Sequence, residues 1–328
     1  MIDRDEDVSS AIETTDLLIR FVAAPIDPPE NRPECADVPH ALPSPRTMSQ
    51  SIVAARRHGP SLSGRPTQER SERAMPYCEL SQVTIYFNRA GSGVPVVLLH
   101  QYFGTSENWL AIFDMLRRHF DVIAPDLRAH GRSSDPGGRL TLEGFAADVA
   151  ELLHRLDIRE AHLVGASLGA MVAARLALSG AVNARSLVFI GPPNFAAPST
   201  AEYTRSVIEE LFPAHEDEYA HAHRALGQDH ARKRLLANFI QDGIERPREM
   251  REWAQGIELL DRPILLMAGD NDPVAPADWL VAFTAQLPRG EVCILPRGGH
   301  FPHRTLPHLA GQVILDFLLR VERARLTD

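Results

Sequence analysis

Ser167 stands in LVGASLGAM, residues 163–171, between Gly165 and Gly169 and directly after an apolar run. A serine hydroxyl is a weak nucleophile at neutral pH. It attacks a carbonyl only when a base takes its proton and an acid orients that base. The flanking sequence gives the hydroxyl a definite setting: AHLV before it reads as a strand and LGAMVAARLAL after it as a helix, the strand-turn-helix context of a nucleophile elbow. Without side chains at Gly165 and Gly169 the two backbones cross closely, and Ser167 can take a strained conformation that projects its hydroxyl. A helix starting at the next residue also points amide dipoles at developing negative charge. The competing reading is a glycine-rich packing turn with an incidental serine.

A base and an acid are available at later strand ends. The apolar run Ile264 to Ala268 leads into GDNDPVAP, with Asp270 and Asp272, and Glu291 to Leu295 leads into PRGGH, ending on His300. Both aspartates stand just past the strand end as candidate acids, and Asp270, beside it, is suited to brace the turn. After the preceding strand, IGPPNF offers only Asn194 as an alternative. Of the 14 histidines, His300 is the expected base. His100, ending a buried strand, is expected to hold its loop by hydrogen bonds, and His130 reads as structural. His221 and His223, two apart in a helical stretch with His215 and His230, point to different faces, so a solvated helix is preferred to a metal site.

The elements that must carry these groups alternate. Tyr77 to Leu80 and Thr84 to Asn88 read as short antiparallel strands. The segments Val94 to Leu99, Val122 to Pro125, Ala161 to Val164, Ser186 to Ile190, Ile264 to Ala268 and Glu291 to Leu295 read as buried strands. Helices are predicted over Trp109 to His119, Leu140 to Leu156, Leu168 to Leu178, Pro276 to Gln286 and Leu306 to Arg323. Short apolar strands separated by helices imply an α/β protein with a parallel sheet covered on both faces. No internal repeat is evident.

Five segments in order across residues 76 to 328 resemble the α/β-hydrolase fold superfamily. GASLG is like its elbow, GDNDPVAP like its acid turn and GGH like its histidine loop. LLHQYFGTSENW is similar to its oxyanion loop, and DLRAHGRSS to its D-x-R-G-H-G-x-S segment. The resemblance implies a mostly parallel eight-stranded sheet flanked by helices, with a small helical cap. It implies a catalytic triad of Ser167, Asp272 and His300, and oxyanion donors from the backbone N–H groups of Leu168 and Tyr102. The family usually has His-Gly where this chain has His100 and Gln101. Gln101 and Phe301 are expected to line the substrate pocket.

The implied activity is that of a serine hydrolase acting on a carboxylic ester or lactone of a small molecule through an acyl-enzyme, closest in texture to enol-lactonases and small esterases. A carbon–carbon bond hydrolase acting on a vinylogous diketone is one alternative, and a non-hydrolytic tailoring or binding protein on the same fold is another. Neither metal nor cofactor is expected, and the chain would act as a monomer or homodimer.

Composition fits this reading. The chain has 328 residues, 44% of them apolar, which suffices for a large core. Its formal net charge of −9, without a basic face, argues against nucleic acid as a partner. Cys35, Cys78 and Cys293 are too few and too scattered for a disulfide framework or zinc site, and Cys293 reads as core. The acidic start MIDRDEDVSS lacks the pattern of an export signal, and no uncharged apolar run would span a bilayer, so no membrane partner and a cytoplasmic location are expected. Ten of the 25 prolines lie in the first 76 residues. Residues 1–75 are therefore expected to be a disordered extension, or translation to begin at Met75. Residues 76–193 and 261–328 are expected to form the core. Residues 194–260 are expected to form the helical cap, with Phe195, Tyr203, Phe212, Phe239 and Trp253 packing it or lining a pocket.

Overall fold

A computed structural model describes residues 76–194 and 255–327. The expectations for the N-terminal extension, for the cap and its aromatic residues, and for His215, His221, His223 and His230 lie outside the described residues.

The described residues build one eight-stranded sheet. In chain order its strands are β1 (Tyr77–Glu79), β2 (Thr84–Gly91), β3 (Pro95–Leu99), β4 (Asp121–Pro125), β5 (Glu160–Ala166), β6 (Asn183–Ile190), β7 (Ile264–Gly269) and β8 (Gly290–Leu295). Their spatial order is β1-β2-β4-β3-β5-β6-β7-β8. The first two strands pair antiparallel with each other, β2 pairs antiparallel with β4, and every other pairing is parallel. The helices are α1 (Leu110–Leu116), α2 (Leu142–Arg155), α3 (Leu168–Ser179), α4 (Ala277–Thr284), the single turn α5 (Pro302–Thr305) and α6 (Pro307–Arg325).

The apolar strand runs follow from burial on both faces. Along β6, Leu187 and Phe189 join one core with Phe145 and Leu152 of α2 and Val172 and Leu176 of α3. Val188 and Ile190, pointing the other way, join Ile112 of α1 and Ile314, Phe317 and Leu318 of α6. The period-2 geometry of a strand buried on both faces thus favours apolar residues on both, and removing such side chains from water is the main stabilising term. Element ends differ from the sequence reading, most clearly at two places. β2 runs on to Gly91 because Arg89, unfavourable for a strand by itself, makes a two-pronged ion pair with Asp121 of β4 at 3.0 and 2.7 Å. The helix at Trp109 begins as a 3-10 turn, Ser106–Trp109, and its α-helical part ends at Leu116.

At the amino end of the sheet, His162 of β5 faces Ser186 of β6, whose hydroxyl is 2.7 Å from Nδ1. Glu322 of α6 stands 3.1 Å from Nε2 and is itself clamped by Arg185 at 2.8 and 2.7 Å. Burial pushes the His162 imidazole from 6.5 down to about 4, with Glu322 opposing and Arg185 assisting. The unfolded chain therefore takes up this proton near pH 6.5 and the folded chain only near 4. Below 6.5 the unfolded state binds more protons, so stability falls with pH. The loss expected from this residue between pH 7 and pH 5 is about 2 kcal/mol. Urea unfolding at the two pH values checks it, with His162→Gln losing correspondingly less.

Candidate active site

Ser167 follows the last residue of β5 and precedes the first of α3. Its backbone has φ +48° and ψ −109°, a region that side chains disfavour and that persists only where the surroundings enforce it. The enforcement is visible. A Cβ on Gly165 would lie 2.1 Å from the Gly169 carbonyl oxygen, and one on Gly169 would lie 2.0 Å from that of Leu99. Helix and strand can cross at this distance only with glycine at both positions. Ser167 is half-exposed while residues 161–166 and 168–170 are buried, so the hydroxyl-bearing residue is the one at the surface of the turn. Its N–H donates to the Ile190 carbonyl at 2.8 Å, fixing the turn to the end of β6.

His300 lies at the same strand end. The residue after Ile190 is Gly191, at φ +52°, and a Cβ there would come within 2.7 Å of His300 Nδ1. Asp272 bonds the same ring nitrogen, with Nδ1 at 3.0 Å from Oδ1 and 2.9 Å from Oδ2, both side chains being almost wholly buried. Asp272 Oδ1 also accepts the N–H groups of Val274 (2.8 Å) and Ala275 (3.0 Å). Burial alone would raise the Asp272 pKa. The His300 charge and hydrogen bond, with the two backbone donors, outweigh it and hold the carboxyl below its usual value. An ionised Asp272 accepts, so the His300 proton sits on Nδ1 and Nε2 carries the ring's lone pair.

The neighbouring residues of the acid turn have a different task. Asp270 Oδ1 accepts Arg297 N–H at 2.7 Å, and Asn271 Oδ1 accepts Gly299 N–H at 2.9 Å. A Cβ on Gly269 would meet Gly299 N at 2.0 Å, so the histidine loop lies directly on the end of β7. Asp270 thus braces the turn, as its position suggested.

The segment after β3 is held from within. Leu127 N–H donates to His100 Nε2 at 2.9 Å, which puts the His100 proton on Nδ1, and Nδ1 donates to the Gln101 carbonyl at 2.8 Å. Gly104 N–H donates to the same carbonyl at 3.0 Å. With the Gln101 oxygen pinned twice, the Tyr102 N–H, trans to it across a planar peptide, is directed the opposite way. Gln101 needs no glycine-like conformation, since the left-handed residue of this turn is Phe103, at φ +61°. The Gln101 side chain is 1% exposed and runs inside the loop, with Nε2 3.4 Å from Asn108 Oδ1. Thr105 and Asn108 close the following 3-10 turn as a reciprocal cap. His130 is buried, with Nδ1 2.9 Å from the Arg128 carbonyl.

Phe301 is half-buried, its ring 4.5 Å from that of His300. Residues that the sequence reading did not single out are Gly191, Asn271, Phe103 and His303, which stacks on Trp109 at 4.6 Å. Among the described residues no group of three or more His, Cys, Asp or Glu side chains could hold a metal ion, and no helix is long and apolar enough to cross a membrane.

Comparison with known proteins agrees with this fold. A dihydrolipoyllysine-residue acetyltransferase component of the acetoin cleaving system from Pseudomonas putida is 29% identical over 263 residues, covering 71% of this chain and 66% of that protein, so the chain spans just under two thirds of its length. A putative non-heme chloroperoxidase from Synechocystis is 25% identical over 278 residues, 74% of this chain and all of that one. The solved structure of a thermophilic esterase from Thermogutta terrifontis superposes with a TM-score of 0.57 at 25% identity, over 73% of this chain and 94% of the esterase. Residues 94–305, which carry the serine turn, the acid turn and the histidine loop, match the family described as alpha/beta hydrolase fold, and the chain belongs to that family.

Proposed function

We propose that the chain is a serine hydrolase that cleaves a carboxylic ester or lactone of a small molecule through an acyl-enzyme. The observation that supports the reading is that a strained half-exposed serine and a buried, carboxylate-oriented histidine each pack on one strand end, Ser167 on Ile190 and His300 on Gly191. In this mechanism Ser167 Oγ attacks the carbonyl carbon and His300 Nε2 accepts its proton. Asp272 keeps the other proton on Nδ1 and stabilises the imidazolium. The tetrahedral oxyanion is taken by the N–H of Leu168, at the start of α3, and that of Tyr102, the peptide oriented by His100. His300 then protonates the leaving oxygen, and water repeats the sequence on the acyl-enzyme. No metal or cofactor takes part. Phe301 and the Tyr102 ring are suited to contact the substrate, while Gln101 supports the loop behind the oxyanion donor.

Relatives of similar identity carry the names of an acetyltransferase, a chloroperoxidase and an esterase, so the choice of ester or lactone rests on the chemistry of the site. The test is reaction of the full chain with a fluorophosphonate probe. Covalent labelling that disappears in Ser167→Ala, followed by turnover of members of an ester and lactone panel, is the expected result. An unlabelled wild type overturns the nucleophile, and turnover of a dienoate ring-cleavage product without any ester moves the reading to carbon–carbon bond hydrolysis.

A further inference from the structure

We propose that His303 is a positioning residue, whose ring stack on Trp109 ties the segment carrying His300 to the segment carrying the Tyr102 amide. The inference rests on the hydrolytic reading given above. That reading needs a base and an oxyanion donor held in register, yet they come from distant parts of the chain, one before α5 and the other after β3. No strand or helix carries both.

The Tyr102 segment is anchored at its start by His100 and at its end by Trp109, the last residue of the 3-10 turn, which is fully buried. Over the indole lies the His303 ring, with centroids 4.6 Å apart and planes inclined by 30°. From His303 the contacts run back to the base, since Phe301 stands edge-on to it at 6.0 Å and touches the His300 ring at 4.5 Å. A column of four rings, His300, Phe301, His303 and Trp109, therefore spans the two segments. Aromatic pairs of this geometry are directional as well as adhesive, so displacement at one end is transmitted to the other.

His303 is not held by hydrogen bonds. It is 1% exposed, and among the described residues neither of its ring nitrogens, nor the indole nitrogen of Trp109, has a hydrogen-bond partner. A buried imidazole in that condition costs stability, and an aliphatic residue would fill the space without the cost. Its contribution is thus that of a flat ring. Burial, with the Arg304 and His300 charges assisting, keeps the imidazole well below its usual pKa and so uncharged. A neutral ring does not oppose the imidazolium that His300 becomes during the reaction.

The test is the concentration dependence of phosphonylation of the full chain by the fluorophosphonate probe. His303→Leu keeps volume and loses the ring. It is expected to lower the maximal labelling rate about tenfold, with the half-saturating concentration changed by less than about twofold. His303→Phe restores a ring and is expected to stay within about threefold of wild type. Trp109→Leu supplies a second arm should the phenyl ring prove too large to fold. It should slow labelling by a similar factor, and the double variant with His303→Leu should be no slower than the slower single one. Wild-type labelling rates in His303→Leu, a loss in a folded His303→Phe equal to that in His303→Leu, or additive losses in the double variant would each overturn the inference. An unlabelled wild type instead removes the hydrolytic reading on which it rests.

Discussion

Replacing Asp272 by asparagine is expected to lower turnover by about 10⁴-fold while leaving the fold in place. The size of the effect follows from the partners of each carboxylate oxygen. Oδ1 accepts two backbone N–H groups, from Val274 and Ala275, and these hold an acceptor at that position whatever the residue is. In the amide, oxygen therefore stays at Oδ1 and the NH₂ group takes the place of Oδ2, 2.9 Å from His300 Nδ1. An NH₂ group donates, so an Nδ1–H would face a donor at 2.9 Å and keep only the Oδ1 at 3.0 Å that two backbone N–H groups already occupy; the tautomer with Nδ1 accepting and the proton on Nε2 is favoured. A histidine in that tautomer cannot take the proton of Ser167. Steady-state kinetics with thermal melting check this, the melting temperature shifting by only a few degrees for a change of about 1 kcal/mol. Asp270→Asn is the control: Oδ1 can go on accepting Arg297 N–H, and activity is expected within about threefold of wild type. Equal losses in the two variants would reverse the assignment of acid and brace.

The contrast between these aspartates also marks what was legible in the sequence. Alternating apolar runs and helical stretches suffice for the α/β sheet, because a parallel strand buried on both faces takes a polar residue only where a partner satisfies it, as Ser186 does for His162. The two glycines around Ser167 mark the turn, since their spacing on either side of it has a steric meaning within the strand-turn-helix segment itself. Strand and helix ends were less legible. β2 continues through Arg89 only because Asp121, 32 residues on, neutralises it, and a pairing between distant residues leaves no local pattern. The same holds for the loop after β3. Gln101 stands where the family usually has glycine, which made its own backbone the point to watch, yet the left-handed conformation falls two residues later, on Phe103. His303 was one histidine among 14, and nothing in its neighbours announces the indole it covers.

Gly191 is illegible for a related reason: IGPPNF shows only Asn194 as a side chain with acid-like shape, and what matters at Gly191 is the absence of a side chain. Gly191→Ala is expected to lower the rate of phosphonylation and turnover by about 10²-fold or more. A Cβ at this position would lie 2.7 Å from both Nδ1 and the carbonyl oxygen of His300 and 2.8 Å from Cε1, and one of these contacts is with backbone that cannot rotate away. The φ of +52° adds strain to any residue with a side chain. Relief requires the ring to swing from Gly191, and the available motion carries it off Asp272, whose two bonds to backbone prevent it from following. The loss should therefore appear in the maximal rate more than in half-saturation. Melting temperature should fall as well, and the two effects separate when labelling is measured far below the transition. Wild-type rates in a folded Gly191→Ala would mean that His300 reaches its reactive position without leaning on the end of β6, and would remove the observation on which the hydrolytic reading stands.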